Sequence, residues 1–282
     1  MRIGICSFSF HRLLADGKQD IFQYITDCKE LGCTQLDPWN AHLAPLREGD
    51  EVIHAGHNPD DAGLEPAEDD YVENVRAAAE QAGLPFGCIA ADGAHIYDDD
   101  PEVRKANRAK AYRWIEIAGR LGAEQIRVDA GGPEEMPDDA FAVICEGYRD
   151  IIERAGRVGV QVLTENHWGP TRRPENVLRL LNELDGLGFL FDTNNWAEGR
   201  QREGWQKCAH LADAVHVKTF RFDEQGNDPT VDLSVPIRLL VESGYDGCWT
   251  VESVPREVDE YEGARKTIEL IRREVAAASN QQ

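Results

Sequence analysis

The chain has 282 residues, 41% of them hydrophobic, and carries 52 acidic against 30 basic side chains, a formal charge of −22. A field of that sign repels nucleic acid and anionic membrane surfaces, and no run of about 18 apolar residues is present to span a bilayer. The length suits one α/β barrel of about 250 residues better than two ordinary domains, and no low-complexity linker divides it, so residues 1–282 are expected to form a single domain.

The opening segment MRIGICSFSF reads as a buried strand over residues 2–7. It lacks the charged start, long apolar stretch and small-residue cleavage site of a secretory leader. The seven cysteines form no CxxC pair, and Cys6, Cys88 and Cys248 fall inside apolar runs where a thiol behaves as a small hydrophobe. A cytoplasmic location follows as the expectation.

From there one unit recurs: an amphipathic helix, a small-residue stop, then a short strand. It appears as CKELGCTQLD, AEQAGLPFGCIAAD, AGRLGAEQIRVDA, AGRVGVQVLTEN, LNELDGLGFLFDT, AHLADAVHVKTF and VESGYDGCWTVES. Gly32, Gly83, Gly122, Gly159, Gly186 and Gly244 suit the left-handed position after a helix, and Asp213 takes that place in the remaining unit. Helices are expected over 20–31, 69–82, 101–121, 138–158, 174–183, 204–211, 235–243 and 259–278. Pro101 and Pro174 fit first-turn positions, where a missing N–H costs no helical bond. With the opening strand, eight strands alternate with helices, which implies a parallel sheet closed into a (β/α)8 TIM barrel. The longest connection, 38–68, is rich in Gly, Pro, Asp and His and is expected to form a lid or wall over a pocket.

In such a barrel the chemistry sits where strands end, at the carboxyl rim. The last four strand-like runs each finish in a potential ligand: VLTENH in Glu165, FLFDTNN in Asp192, AVHVKTF in His216 and CWTVES in Glu252. A lone strand-end carboxylate is usually an anchor or a helix cap. Three carboxylates brought together repel strongly unless a cation joins them. Carboxylate oxygens and one imidazole suit a single divalent ion, Mn²⁺, Mg²⁺ or Co²⁺ in preference to Zn²⁺.

The succession TENH, FDTNN, VHVKTF and TVES, in this order on the last four of eight units, resembles the sugar isomerase and epimerase superfamily with a xylose-isomerase-like barrel, including the ketose 3-epimerases. The resemblance implies that Glu165, Asp192, His216 and Glu252 coordinate the metal. It also implies that Glu165 and Glu252 double as acid and base and that Arg221 faces the substrate. Many relatives carry a histidine three residues after the aspartate ligand, whereas this chain has Asn195. Asn can hydrogen-bond a hydroxyl but cannot exchange a proton near neutrality.

Weaker rim candidates for substrate contact are His95, His167, Lys218 and Trp39. Lys218 shares a strand face with His216 and could bind substrate or neutralise the carboxylates. His167 follows Glu165 closely and contacts substrate if the strand end turns inward. Trp39, with Asp37 and His42 at the start of the long connection, could offer a flat wall to a sugar ring, as could Trp168 and Trp196, although packing is the commoner role of each. Arg172 and Arg173 before Pro174 suit an anionic substrate group or a surface ion pair.

No Gly-rich nucleotide fingerprint, HExxH motif or nucleophile elbow is present. The sequence therefore points first to a metal-dependent isomerase or epimerase of a monosaccharide or related polyol. A metal-dependent lyase or dehydratase acting on a keto-sugar or inosose is the nearest alternative. A metal-dependent endonuclease is opposed by the charge, and a non-catalytic sugar-binding barrel has no need of two acids. The expected partner is a small sugar or polyol, with no nucleic acid or membrane, and assembly into a homo-oligomer is left open.

Overall fold

In the computed structural model, which describes residues 1–45 and 63–280, the chain alternates between short strands and helices. Its first part runs through β1 (Arg2–Ile5), α1 (His11–Ala15), α2 (Ile21–Glu30), α3 (Asn40–Leu43), α4 (Asp69–Ala82), β2 (Cys88–Ala90), α5 (Pro101–Leu121) and β3 (Gln125–Arg127). It continues through α6 (Asp138–Gly156), β4 (Gln161–Glu165), α7 (Pro174–Glu183), β5 (Gly188–Asp192) and α8 (Gln201–Cys208). The last elements are β6 (Ala214–Thr219), α9 (Ser234–Glu242), β7 (Cys248–Ser253) and α10 (Glu260–Ser279).

The helices start and stop where local chemistry requires. Asp20, Asp100 and Asp259 accept backbone N–H bonds from Gln23, Glu102 and Glu262 at 2.8 Å each, which satisfies donors that have no helical partner. The six predicted glycine stops all have positive φ, between 70° and 86°. Asp213 does not. The helical stretch before it ends in a 3-10 turn with Ala212 extended, and Asp213 instead accepts a bond from the Phe189 amide at 2.9 Å, tying β6 to β5.

Among the described residues, seven strands form one parallel sheet in the order β1-β7-β6-β5-β4-β3-β2. The expected second strand is absent as a regular strand. Pro38 has no N–H to give to a ladder, and the segment is held through isolated parallel bridges: Cys6 with Asp37 on one side, Leu36 with Phe86 and Trp39 with Ala90 on the other. Those bridges join β1 to β2 and close the ring. Tyr24 of α2 fastens the joint, donating to the Ile5 carbonyl at 2.6 Å and accepting from the Asp37 amide at 2.9 Å.

Residues on the outer strand faces, among them Ile3, Ile5, Ile89, Ile126, Val162, Phe189, Val215 and Val251, are buried with the helices in the main core. The inner face carries a small apolar layer of Cys88, Leu163, Leu190 and Ala214. Asp37 also lies inside the barrel, fully enclosed, accepting from the Cys88 amide at 2.7 Å, Gln35 Nε2 at 2.8 Å and Thr250 Oγ1 at 3.0 Å. Glycine at position 4 makes room for it, since a Cβ there would stand 1.9 Å from Asp37 Oδ2.

Of the expected lid, residues 46–62 lie outside the described residues; its described flanks form α3 and a 3-10 turn at Pro66–Glu68. Among the described residues no helix is long and apolar enough to cross a membrane. All seven cysteines are buried and unpaired.

Candidate metal centre

Parallel register sets the first layer of the site. Asp192 pairs with His216 across β5 and β6, and Lys218 with Glu252 across β6 and β7. Because side chains alternate with a period of two, His216 and Lys218 share the inner face of β6, as Thr250 and Glu252 do on β7. Glu165, at the end of β4, completes the group. Ligand atoms of Glu165, Asp192, His216 and Glu252 all lie within 4.8 Å of one another, and all four residues are buried.

The charges are arranged in contact. His216 Nδ1 stands 3.0 Å from Glu252 Oε2 and 3.4 Å from Glu165 Oε1. Lys218 Nζ stands 2.7 Å from Glu252 Oε1, 3.5 Å from Asp192 Oδ2 and 2.9 Å from Asn195 Oδ1. Asn195 also directs its Nδ2 to Glu165 Oε1 at 3.3 Å and its amide to Asp192 Oδ1 at 2.9 Å. Asn166 fixes the strand beside it, exchanging two bonds with the Asp192 backbone at 2.8 and 3.0 Å.

Burial alone would neutralise these groups, and the neighbours decide which of them stay charged. Burial, then Glu252 and Glu165, push the Asp192 carboxyl up to about 6 despite the Lys218 ammonium. Burial opposes ionisation of Glu252 too, but Lys218 and His216 hold it well below the usual carboxylate range. Burial disfavours the His216 imidazolium, yet Glu165 and Glu252 push it up to about 10. Cationic side chains thus crowd around carboxylates at the point where one external cation would satisfy several of them.

A divalent ion fits the donor set. Glu165 Oε2, Asp192 Oδ2 and His216 Nδ1 are buried and meet the charges just described without an aligned hydrogen bond among the described residues, and a buried polar atom without one is costly. Oxygen donors plus one imidazole are the ligands that Mn²⁺, Mg²⁺ and Co²⁺ take.

A second layer, which sequence reasoning missed, stands behind Glu165. Arg127, at the end of β3 and buried, places Nε 3.0 Å from Glu165 Oε2, close enough to pair though not aligned for a hydrogen bond, and Nη1 2.8 Å from Asp129 Oδ2. Nη1 also meets Asp92 Oδ1, and Asp92 Oδ2 accepts from Trp39 Nε1 at 2.9 Å. His167 has turned inward, with Nδ1 3.0 Å from Asp129 Oδ2 and 3.9 Å from Glu165 Oε2. Burial disfavours its charged form, but Asp129 and Glu165 raise its pKa. The signal was present in RVDA: Arg127 and Asp129 are two apart, hence on one face at a strand end.

The remaining sequence candidates divide. His95 is half-buried, packed against Gly131 and close enough to Asp129 to lower its pKa. Trp39 is buried against Leu14, Ala41, Ala90 and Phe8, so its ring is a packing element, with its N–H bound to Asp92, and offers no open wall. Trp196 is likewise buried, against Phe189 and Phe191, whereas Trp168 is 52% exposed beside His167. Arg221 is not brought into the cluster; its side chain is 51% exposed and stands 3.7 Å from Glu257. Arg172 and Arg173 both pair with Glu134, at 3.4 and 2.9 Å, the surface alternative. His42 is enclosed, with both ring nitrogens unpartnered among the described residues.

Comparison with known proteins agrees with this architecture. A family described as xylose isomerase-like TIM barrel matches residues 25–274. No curated protein sequence matches the chain. Among solved structures, the 3-keto-D-glucoside 4-epimerase of E. coli is similar at 18% identity over 97% of this chain and 99% of that one, with a TM-score of 0.71. An L-ribulose 3-epimerase is similar at 16% identity over 99% and 96%, TM-score 0.71. A probable 3-DHS dehydratase involved in petrobactin synthesis, from Bacillus anthracis, is similar at 15% identity over 96% and 99%, TM-score 0.70. At these identities the likeness to each structure is one of fold, and a shared barrel hosts many reactions.

Proposed function

The chain belongs to the xylose isomerase-like TIM barrel family, and from that premise we propose that it is a divalent-metal-dependent isomerase or epimerase of a monosaccharide or related polyol. The observation that carries this reading is the convergence of Glu165, Asp192, His216 and Glu252, with three of their donor atoms buried in charge contacts but without an aligned hydrogen bond. The epimerases and the dehydratase among the similar structures support the same reaction classes.

Removing a proton beside a carbonyl leaves negative charge on the carbonyl oxygen, and the ion, when bound, supplies Lewis-acid stabilisation of that charge. The residues of the chain do the rest. Glu165 and Glu252 are both held ionised by their cationic neighbours, so either can accept the proton from one face of the carbon and release it to solvent, while the other takes a proton from solvent and returns it to the opposite face. Lys218 and Asn195, bonded to each other and to opposite ends of the carboxylate group, orient the acids and can offer donors to substrate hydroxyls. Transfer between neighbouring carbons by a single carboxylate gives aldose–ketose isomerisation instead.

A dehydratase is the second reading, favoured by one observation: His167, held by Asp129 at 3.0 Å beside Glu165, is an imidazole placed to protonate a departing hydroxyl, and Asn195 cannot do so. NMR of a ketose and inosose panel turned over in D₂O separates the two. Deuterium entering one carbon with the oxygen count unchanged supports epimerisation or isomerisation, and loss of water with a new double bond supports the lyase. Glu165→Gln and Glu252→Gln should each abolish turnover while sugar still binds; if both variants remain active, the mechanism is wrong.

A further inference from the structure

One thiol of the barrel lining has no part in the chemistry above. Cys6 lies one step beyond the last paired residue of β1, Ile5 with Val251, and its amide bonds the Val251 carbonyl at 2.8 Å. Continuing that register sets it beside Glu252, on the same inward face as Gly4. Its sulfur lies within 4.8 Å of a ligand atom of His216 and a ligand atom of Glu252, all three residues being buried. His216 is 3% exposed, and its Nδ1, 3.0 Å from Glu252 Oε2, has no aligned hydrogen bond among the described residues. The remaining group of ligating side chains among the described residues, Asp92, Asp129 and His167, of which only Asp129 is buried, already holds a cation in the Arg127 guanidinium.

We propose that Cys6, His216 and Glu252 form a second, soft donor set that captures thiophilic divalent ions such as Zn²⁺ or Cd²⁺. The proposal rests on the reading that Glu165, Asp192, His216 and Glu252 hold the working ion. His216 and Glu252 belong to both sets, so the two are mutually exclusive and a thiophilic ion blocks the oxygen-preferring one. The chemistry is that of sulfur, imidazole and carboxylate together: donors each about 2.0–2.3 Å from one zinc ion stand roughly 3–4 Å apart. On capture the Cys6 S–H bond breaks, a sulfur–metal bond forms, and the proton leaves to solvent. Soft ions prefer the sulfur, whereas Mn²⁺ and Mg²⁺ gain nothing from it. The same thiol that fills space as a small hydrophobe would make the enzyme sensitive to zinc and cadmium.

The test uses the full-length, metal-stripped protein as wild type, Cys6→Ser and Cys6→Ala. Cd²⁺ is titrated with the ultraviolet thiolate-to-cadmium charge-transfer band as readout, and Mn²⁺ separately by electron paramagnetic resonance. The expected result is a band saturating at one Cd²⁺ per chain in the wild type and absent from both variants. Cd²⁺ affinity should fall on the order of tenfold or more in the variants, the scale of losing a supporting contact at a metal site, while Mn²⁺ affinity is unchanged. A wild type without the band, a band that survives in the variants, or parallel loss of Mn²⁺ and Cd²⁺ affinity would each overturn the proposal. Failure of Mn²⁺ to bind the wild type would instead strike the proposed function, and the cadmium result is read independently of it.

Discussion

Arg127 Nε stands 3.0 Å from Glu165 Oε2 while the same guanidinium meets Asp92 and Asp129. One buried cation therefore positions a proposed ligand that is also a proposed acid and base. Burial would favour the protonated form of Glu165, and His167, Arg127 and His216 hold its pKa below the usual range. Arg127→Lys retains charge but loses the rigid fork that reaches three carboxylates. It should weaken Mn²⁺ binding by about 10–100-fold with the fold intact. Arg127→Leu should cost about 3–5 kcal/mol, because the buried Glu165 and Asp129 and the half-buried Asp92 lose their partner. Calorimetric Mn²⁺ titration and urea denaturation measure the two effects, and unchanged Mn²⁺ affinity in the lysine variant would remove Arg127 from the site.

Lys218 occupies part of the charge balance that a divalent ion would otherwise supply. Lys218→Met leaves Glu252 and Asp192 without their ammonium at 2.7 and 3.5 Å. The metal-free variant should melt lower than the wild type, and saturating Mn²⁺ should raise its Tm by more than it raises that of the wild type. An ion at 100 times its Kd contributes about 2.7 kcal/mol, enough to be read by thermal denaturation. Equal gains in both proteins would mean that Lys218 does not offset the carboxylates.

His42 gives a pH dependence away from the ligands. Burial first, and the nearby His11 second, lower its pKa to about 3 from an ordinary 6.5. The unfolded chain therefore takes up the proton before the folded one does. Stability is retained above about 6.5 and lost as pH falls from there toward about 3, at up to about 1.4 kcal/mol per pH unit. His42→Leu should flatten this limb: urea midpoints compared at pH 7 and pH 5 should fall less in the variant. A parallel fall would assign the acid sensitivity to other groups.

The joint that closes the ring depends on empty space at position 4. A Cβ on Gly4 would stand 1.9 Å from Asp37 Oδ2 and 3.2 Å from Cys248 Sγ. Gly4→Ala should therefore displace the Asp37 carboxylate from its three donors and cost about 1–3 kcal/mol or more in urea denaturation. Gly17→Ala provides a contrast, since no atom lies within 4 Å of a Cβ there although φ is +62°. Its cost should be that of backbone strain alone, and a larger loss at Gly17 than at Gly4 would refute the packing argument.

Much of the candidate cluster's composition was legible because its logic is local. Glu165 and Asp192 end their strands, Glu252 stands one residue before the end of β7, and His216 lies within β6 rather than at its end, while Lys218 falls on the inner face of β6 because it is two residues from His216. Where reading failed, a rule about neighbours in sequence met a neighbour in space. Asp213 looked like a helix stop but bonds Phe189 in another strand. Trp39 looked like a wall for ligand but is covered by Phe8 and Leu14. Arg221, close to a proposed ligand along the chain, stands beside Glu257 instead.

The amino-acid order by itself determined the units: where helices cap, where glycine stops them, which strands are buried, and which side chains share a face. Periodicity and backbone sterics act over a few residues, so they can be read from the string. Only the folded ring decided which charges meet, with Arg127 joined to Asp92 and Glu165, Lys218 to Glu252, and Cys6 brought beside His216. Coulomb attraction and metal coordination depend on distance in space, and closure of the barrel, by a segment too irregular to be called a strand, sets those distances.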